Sequence, residues 1–109
     1  MKMQELELFW INKINSFIEA SKSENTFNSL SFFYGDSEEN YTTNSINIVN
    51  YNNKHLYYTG NDDKKLTFKT NDLNKFKEYL INSIKSQESN FLFSGFKSSK
   101  SISIYSTNI

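Results

Sequence analysis

The chain has 109 residues, its twelve Lys and Arg balance twelve Asp and Glu, and it contains no cysteine, no proline and one histidine. This inventory excludes a disulfide framework, a thiol nucleophile and a Cys-type zinc site. It also disfavours nucleic acid and DNA mimicry, because a neutral chain whose basic residues are all Lys lacks the required field and the guanidinium forks.

The first element is a helix. Leu6, Trp10, Ile14, Phe17 and Ile18 recur at helical spacing, which predicts an amphipathic helix from Met3 to about Ser23. Glu7, Asn12, Lys13, Asn15 and Glu19 lie largely off that face. Leu8, Phe9 and Ile11 widen the apolar stripe beyond what one contact surface needs.

Strands follow. After a turn at Ser23–Thr26, residues Ser29 to Tyr34 alternate, with Leu30, Phe32 and Tyr34 opposed to Ser29, Ser31 and Phe33. Gly35 to Asn40 reads as an acidic loop carrying Asp36, Glu38 and Glu39. Asn44 to Tyr51 is a β-branched strand, in which Ile46 and Ile48 oppose Val49 and Tyr51, with or without an irregularity between the two pairs. Asn52–Asn53 fits a tight hairpin turn, since Asn tolerates positive φ. His55 to Thr59 is the next strand, Gly60 to Asp63 a second turn, and Lys64 to Lys69 a further strand.

A second helix is expected from about Asn71 to Ser86, with Thr70 or Asn71 as N-cap and Asp72 in the first turn. Leu73, Phe76, Leu80 and Ile84 form its apolar face, flanked by Tyr79 and Ile81. Two short strands close the chain, at Phe91–Phe93 and Ser101–Tyr105. The order α-β-β-β-β-α-β-β predicts a single α+β domain: an antiparallel meander with both helices on one face. Aromatic residues, 17 % of the chain, supply a core of large side chains, because Ala20 is the only alanine.

Chemistry is sparse. His55 is the only imidazole, and no nucleophile elbow or Gly-rich oxyanion loop accompanies it, so a surface strand position explains it best. No carboxylate run has the spacing of a calcium loop. Gly35, Gly60 and Gly95 are isolated, so no phosphate loop forms and no cofactor is expected. The lysines at 64, 65, 69, 75 and 77 are interrupted by Asp62, Asp63 and Asp72, which reads as a mixed-charge surface. Tyr57 and Tyr58 must point to opposite faces of their strand. A cytoplasmic location is expected, since the N-terminus has no signal-peptide pattern and no run approaches the roughly 20 apolar residues of a membrane span.

The leading helix from Leu6 to Ser21, the polar meander from Ser29 to Lys69 and the helix from Asp72 to Ser86 together resemble the layout of small bacterial immunity proteins, the antidotes to polymorphic or contact-dependent toxins. The resemblance implies a non-catalytic protein that binds one toxin tightly, and it carries over no functional residue. Read from the residues themselves, the partner-binding candidates are Asp36, Glu38, Glu39, Tyr41, Asp62 and Asp63, an acidic and aromatic set suited to steering a basic protein such as a nuclease. Binding by active-site block and binding by strand addition both fit. A phage or plasmid anti-defence inhibitor shares this size and layout, as does a secretion-chaperone-like protein, although such chaperones are generally acidic. Oligomeric state is left open.

Overall fold

The computed structural model describes residues 2–37, 40–61, 66–85 and 99–109. Helix α1 spans Lys2–Ala20; strands β1 (Thr26–Ser37), β2 (Asn40–Tyr51), β3 (Lys54–Asn61) and β4 (Leu66–Thr70) follow. Helix α2 spans Leu73–Lys85 and strand β5 spans Ser99–Asn108. All strand pairs are antiparallel, in the order β4-β3-β2-β1-β5. The α+β class and the meander are as the sequence predicts. The expected strand at Phe91–Phe93 lies outside the described residues.

Both helices pack on one sheet face, and strand alternation shows why. Leu30 and Phe32 of β1, Ile46 and Ile48 of β2 and Tyr57 of β3 share one face and join one buried cluster. Trp10, Ile14, Phe17 and Ile18 of α1 and Phe76, Leu80 and Ile84 of α2 complete it. Leu6, Leu73 and Tyr79 pack at its margin. Rings dominate the contacts: Trp10 meets Phe32 at 5.1 Å, Tyr57 meets Phe76 at 5.3 Å, and Phe68 stacks on Tyr79 at 4.1 Å. Each fully buried ring of this kind contributes roughly 3 kcal/mol through area removed from water.

Several local readings change. Strand β1 continues to Ser37 and β2 begins at Asn40, so Gly35, Ser37 and Asn40 of the expected loop are paired backbone, with a bulge between Gly35 and Ser37. Ladder hydrogen bonds outweigh the turn propensity of Gly and Asp there. The β2–β3 register runs unbroken from Asn44↔Asn61 to Tyr51↔Lys54, so of the two alternatives for β2 simple alternation, without an irregularity, separates Ile48 from Val49. Gly60 and Asn61 belong to β3 rather than to a turn. Helix α2 starts at Leu73, and Asp72 itself is the cap: its Oδ1 accepts from the amides of Asn74 at 2.9 Å and Lys75 at 3.2 Å. Thr70 supports the cap by accepting from the Asp72 amide at 3.1 Å.

The hairpin turn is as expected. Asn52 and Asn53 have φ of 51° and 62°, the left-handed pair of a two-residue turn whose twist suits the flanking strands.

Candidate functional site

An antiparallel meander sorts its connections between two sheet ends. The β1–β2 connection, the end of β3 at Asn61 and the start of β4 at Leu66 share one end, because Asn44 pairs with Asn61 and Gly60 with Leu66. Backbone positions Asp36 and Tyr41 therefore lie at that end, Asp36 within the bulge and Tyr41 opposite Gly35. Glu38, Glu39, Asp62 and Asp63 lie outside the described residues. Of the lysines singled out, Lys69 and Lys75 are exposed on β4 and α2, Lys77 is half-buried, and Lys64 and Lys65 lie outside the described residues.

The opposite end holds the C-terminus of α1, the Asn52–Asn53 turn and the first turn of α2. The segment linking α1 to β1 organises it. Ser21, 2 % exposed, donates its hydroxyl to the Phe17 carbonyl at 2.6 Å and so satisfies a carbonyl of the last turn. Asn50, also 2 % exposed, donates Nδ2 to the carbonyls of Ser21 at 2.6 Å and Ser23 at 3.1 Å. The Glu24 carboxylate accepts from the Asn53 amide at 2.7 Å, and Asn25 Oδ1 accepts from the Asn52 amide at 3.3 Å. The Asn25 carbonyl accepts from the Ile109 amide at 2.9 Å. These hydrogen bonds tie the end of α1, the hairpin turn and the end of β5 together.

A cavity of about 270 Å³ opens here, lined by Ile18, Ser21 and Lys22 from the end of α1, Ile48, Asn50, His55 and Tyr57 from the hairpin, and Leu73 from α2. His55 is exposed, as the sequence suggests, yet its Nδ1 lies 2.7 Å from Asn50 Oδ1. Because both ligands of Asn50 Nδ2 are carbonyls, Oδ1 must accept and His55 Nδ1 carries the proton. The imidazole stacks near Tyr57 at 6.3 Å. Burial pushes the Tyr57 hydroxyl above the ordinary value of 10, with Lys22 pulling it down and Asp72 adding to the rise. Lys22 itself reaches Glu19 at 2.7 Å on the surface, and that hydrogen bond and charge hold the Glu19 carboxyl below its ordinary value. Sequence reading singles out His55, Tyr57 and Leu73 here but not the cavity, because Ser21, Lys22 and Asn50 carry no signal until the elements meet.

Across the sheet, Tyr58 occupies the face away from the helices, opposite Asn47, and desolvation raises its hydroxyl above 10. Asn47 is 4 % exposed there; Oδ1 accepts from the Ser29 hydroxyl at 2.7 Å and Nδ2 donates to Ser45 Oγ at 3.0 Å.

Strand β5 is the third notable surface. It pairs with β1 from Thr26↔Asn108 to Tyr34↔Ser99, and no strand pairs with its outer side among the described residues. Every side chain from Ser103 to Ile109 is exposed. Ile104 and Tyr105, each 58 % exposed, point to opposite faces.

Among the described residues, no three His, Cys, Asp or Glu side chains converge as a metal site would need, and no helix is long and apolar enough to cross a membrane. The chain matches no protein-family model, no curated protein and no solved structure, so the likeness to immunity proteins rests on the layout of its elements alone.

Proposed function

We propose that the chain is a cytoplasmic, non-catalytic protein-binding module that neutralises a bacterial toxin by strand addition at β5. The observation that carries this reading is the character of that outermost strand. It is ten residues long, and from Ser101 to Asn108 it contains no charged side chain and no proline. Edge strands are ordinarily blunted by charge, proline, bulges or a covering element, and the centre of β5 shows none of these among the described residues. An added strand gains affinity from main-chain hydrogen bonds and specificity from the side chains it meets on each face, here Ile104 and Tyr105. The acidic residues Asp36, Glu38, Glu39, Asp62 and Asp63 would steer a basic partner without supplying most of the affinity.

The test is co-expression with the toxin domain from the adjoining open reading frame, read as cell survival and as affinity of the purified pair. Parent protein rescues growth, whereas Ile104→Lys and Tyr105→Lys each lose about tenfold or more in affinity, because a charge is forced into a desolvated strand interface. Ile104→Lys keeps its urea midpoint, since the position is exposed, and Tyr105→Lys lowers it by only the small amount its ring contact with Phe27 contributes. Rescue that survives both substitutions rejects the edge as the binding surface, and failure of the parent to rescue rejects toxin neutralisation.

A further inference from the structure

The cavity at the α1–hairpin–α2 junction is independent of β5 and has its own chemistry. At about 270 Å³ it is smaller than the roughly 300–1,000 Å³ of a drug-sized site, so it suits a single substituted ring and not a nucleotide. Its walls are divided. Ile18, Ile48, Leu73 and the Tyr57 ring form an apolar side; Ser21, Lys22, Asn50 and His55 form a polar one. No lining residue is acidic.

The polar groups differ in what they can still offer. Asn50 is committed on both its nitrogen and its oxygen, and the Ser21 hydroxyl proton is committed to Phe17. Two donors are left. No hydrogen bond ties the Tyr57 hydroxyl to another described residue, and a phenol near neutral pH is protonated and able to donate. The Lys22 ammonium has three protons and one exposed partner, Glu19, in a surface pair that contributes little and exchanges readily. Both donors line the same cavity, where the Lys22 charge favours an anion near the Tyr57 hydroxyl and the Asp72 carboxylate opposes one.

We infer that this cavity binds a small monocyclic aromatic carboxylate, with the ring against Ile18, Ile48, Leu73 and Tyr57 and the carboxylate held by the Lys22 ammonium and the Tyr57 hydroxyl. Two donors meet an acceptor with two oxygens, and the apolar wall excludes water from the ring. His55, oriented by Asn50, closes the side of the cavity with its ring.

The experiment is an NMR titration of the full chain with benzoate, with benzamide as the uncharged isostere and with acetate as the carboxylate without a ring. Benzoate is expected to saturate the amide shifts of Ser21, Lys22, Asn50, His55, Tyr57 and Leu73, with Kd in roughly the millimolar range for so few atoms. Benzamide binds about fivefold more weakly, and acetate does not saturate at the same concentrations. Lys22→Gln brings benzoate to the benzamide affinity and leaves benzamide unchanged, while Tyr57→Phe weakens benzoate about threefold or more. Lys22 is exposed, so its substitution leaves the fold intact. Absence of saturable shifts at these residues, equal affinity for benzoate and benzamide, or indifference of benzoate to Lys22→Gln overturns the inference.

Discussion

Removing the Asn50 side chain tests how the pocket end of the molecule is held. In Asn50→Ala three hydrogen bonds disappear: those to the Ser21 and Ser23 carbonyls and that from His55. Their values are unequal. The Ser21 residue is 2 % exposed, so its carbonyl loses a partner where water does not easily replace it, and an unsatisfied buried acceptor costs about 1–3 kcal/mol. Ser23 and His55 are exposed and rehydrate, so each bond there is worth roughly 0.5 kcal/mol. The expected loss is about 3 kcal/mol, or roughly 15 °C in Tm for a domain of this size. Urea unfolding of parent, Asn50→Ala, His55→Ala and the double variant gives the values, with an unchanged m confirming that compactness is preserved. His55→Ala should cost under about 1 kcal/mol and couple weakly to Asn50. Asn50→Asp should be worse than Asn50→Ala, since it sets a carboxylate against two carbonyl oxygens. A cost for Asn50→Ala below about 1 kcal/mol, or a His55→Ala cost equal to it, refutes the assignment of the α1–hairpin clamp to Asn50.

Other outcomes follow from single contacts. Asp72→Ala removes the acceptor for the Asn74 and Lys75 amides and should cost about 1 kcal/mol in urea unfolding, whereas Asp72→Asn should cost less. Tyr57 and Tyr58 have folded values raised above 10, so the stability they contribute is present below that pH and is lost as pH climbs through their folded values. Alkaline unfolding curves should therefore steepen above about pH 10, and Tyr57→Phe should flatten them. Lys22→Gln should move the Glu19 titration back toward its ordinary value by NMR without a measurable change in Tm. Charge reversal of Glu38 and Glu39 should slow association with a basic toxin and flatten its salt dependence; association rates unchanged at low and high salt would remove these carboxylates from the binding account.

The sequence makes the fold legible where periodicity is strong. Trp10, Ile14, Phe17 and Ile18, and Phe76, Leu80 and Ile84, declare both helices and their buried faces by spacing alone. Alternation separates Tyr57 from Tyr58 correctly, one in the core and one on the far face. The wide stripe of α1 is less informative: Ile11 packs against the core, while Leu8 and Phe9 stay 55 % and 49 % exposed. Strand ends at Gly35 and Gly60 are misread because local turn propensity cannot anticipate the ladder partner that overrides it. Asparagine is the more instructive case. Its abundance looks like codon usage, yet Asn25, Asn52 and Asn53 take positive φ, while Asn47 and Asn50 are buried bridges between segments far apart in sequence. Such roles depend on which carbonyl arrives nearby, so no spacing rule reveals them.

The placement of β5 beside β1 also governs the order of events during synthesis. Strands β1 to β4 and helix α2 leave the ribosome before β5 does, so the first strand waits with its outer amides and carbonyls bonded only to water. Joining two such distant segments is slow, because chain entropy is lost before any ladder bond repays it. During that interval the nascent protein displays a second hydrogen-bonding edge, the one on β1 that β5 later covers. A co-translationally supplied strand that competes for that edge would trap the chain half-made, so the rate at which the last strand docks sets how long new protein stays vulnerable.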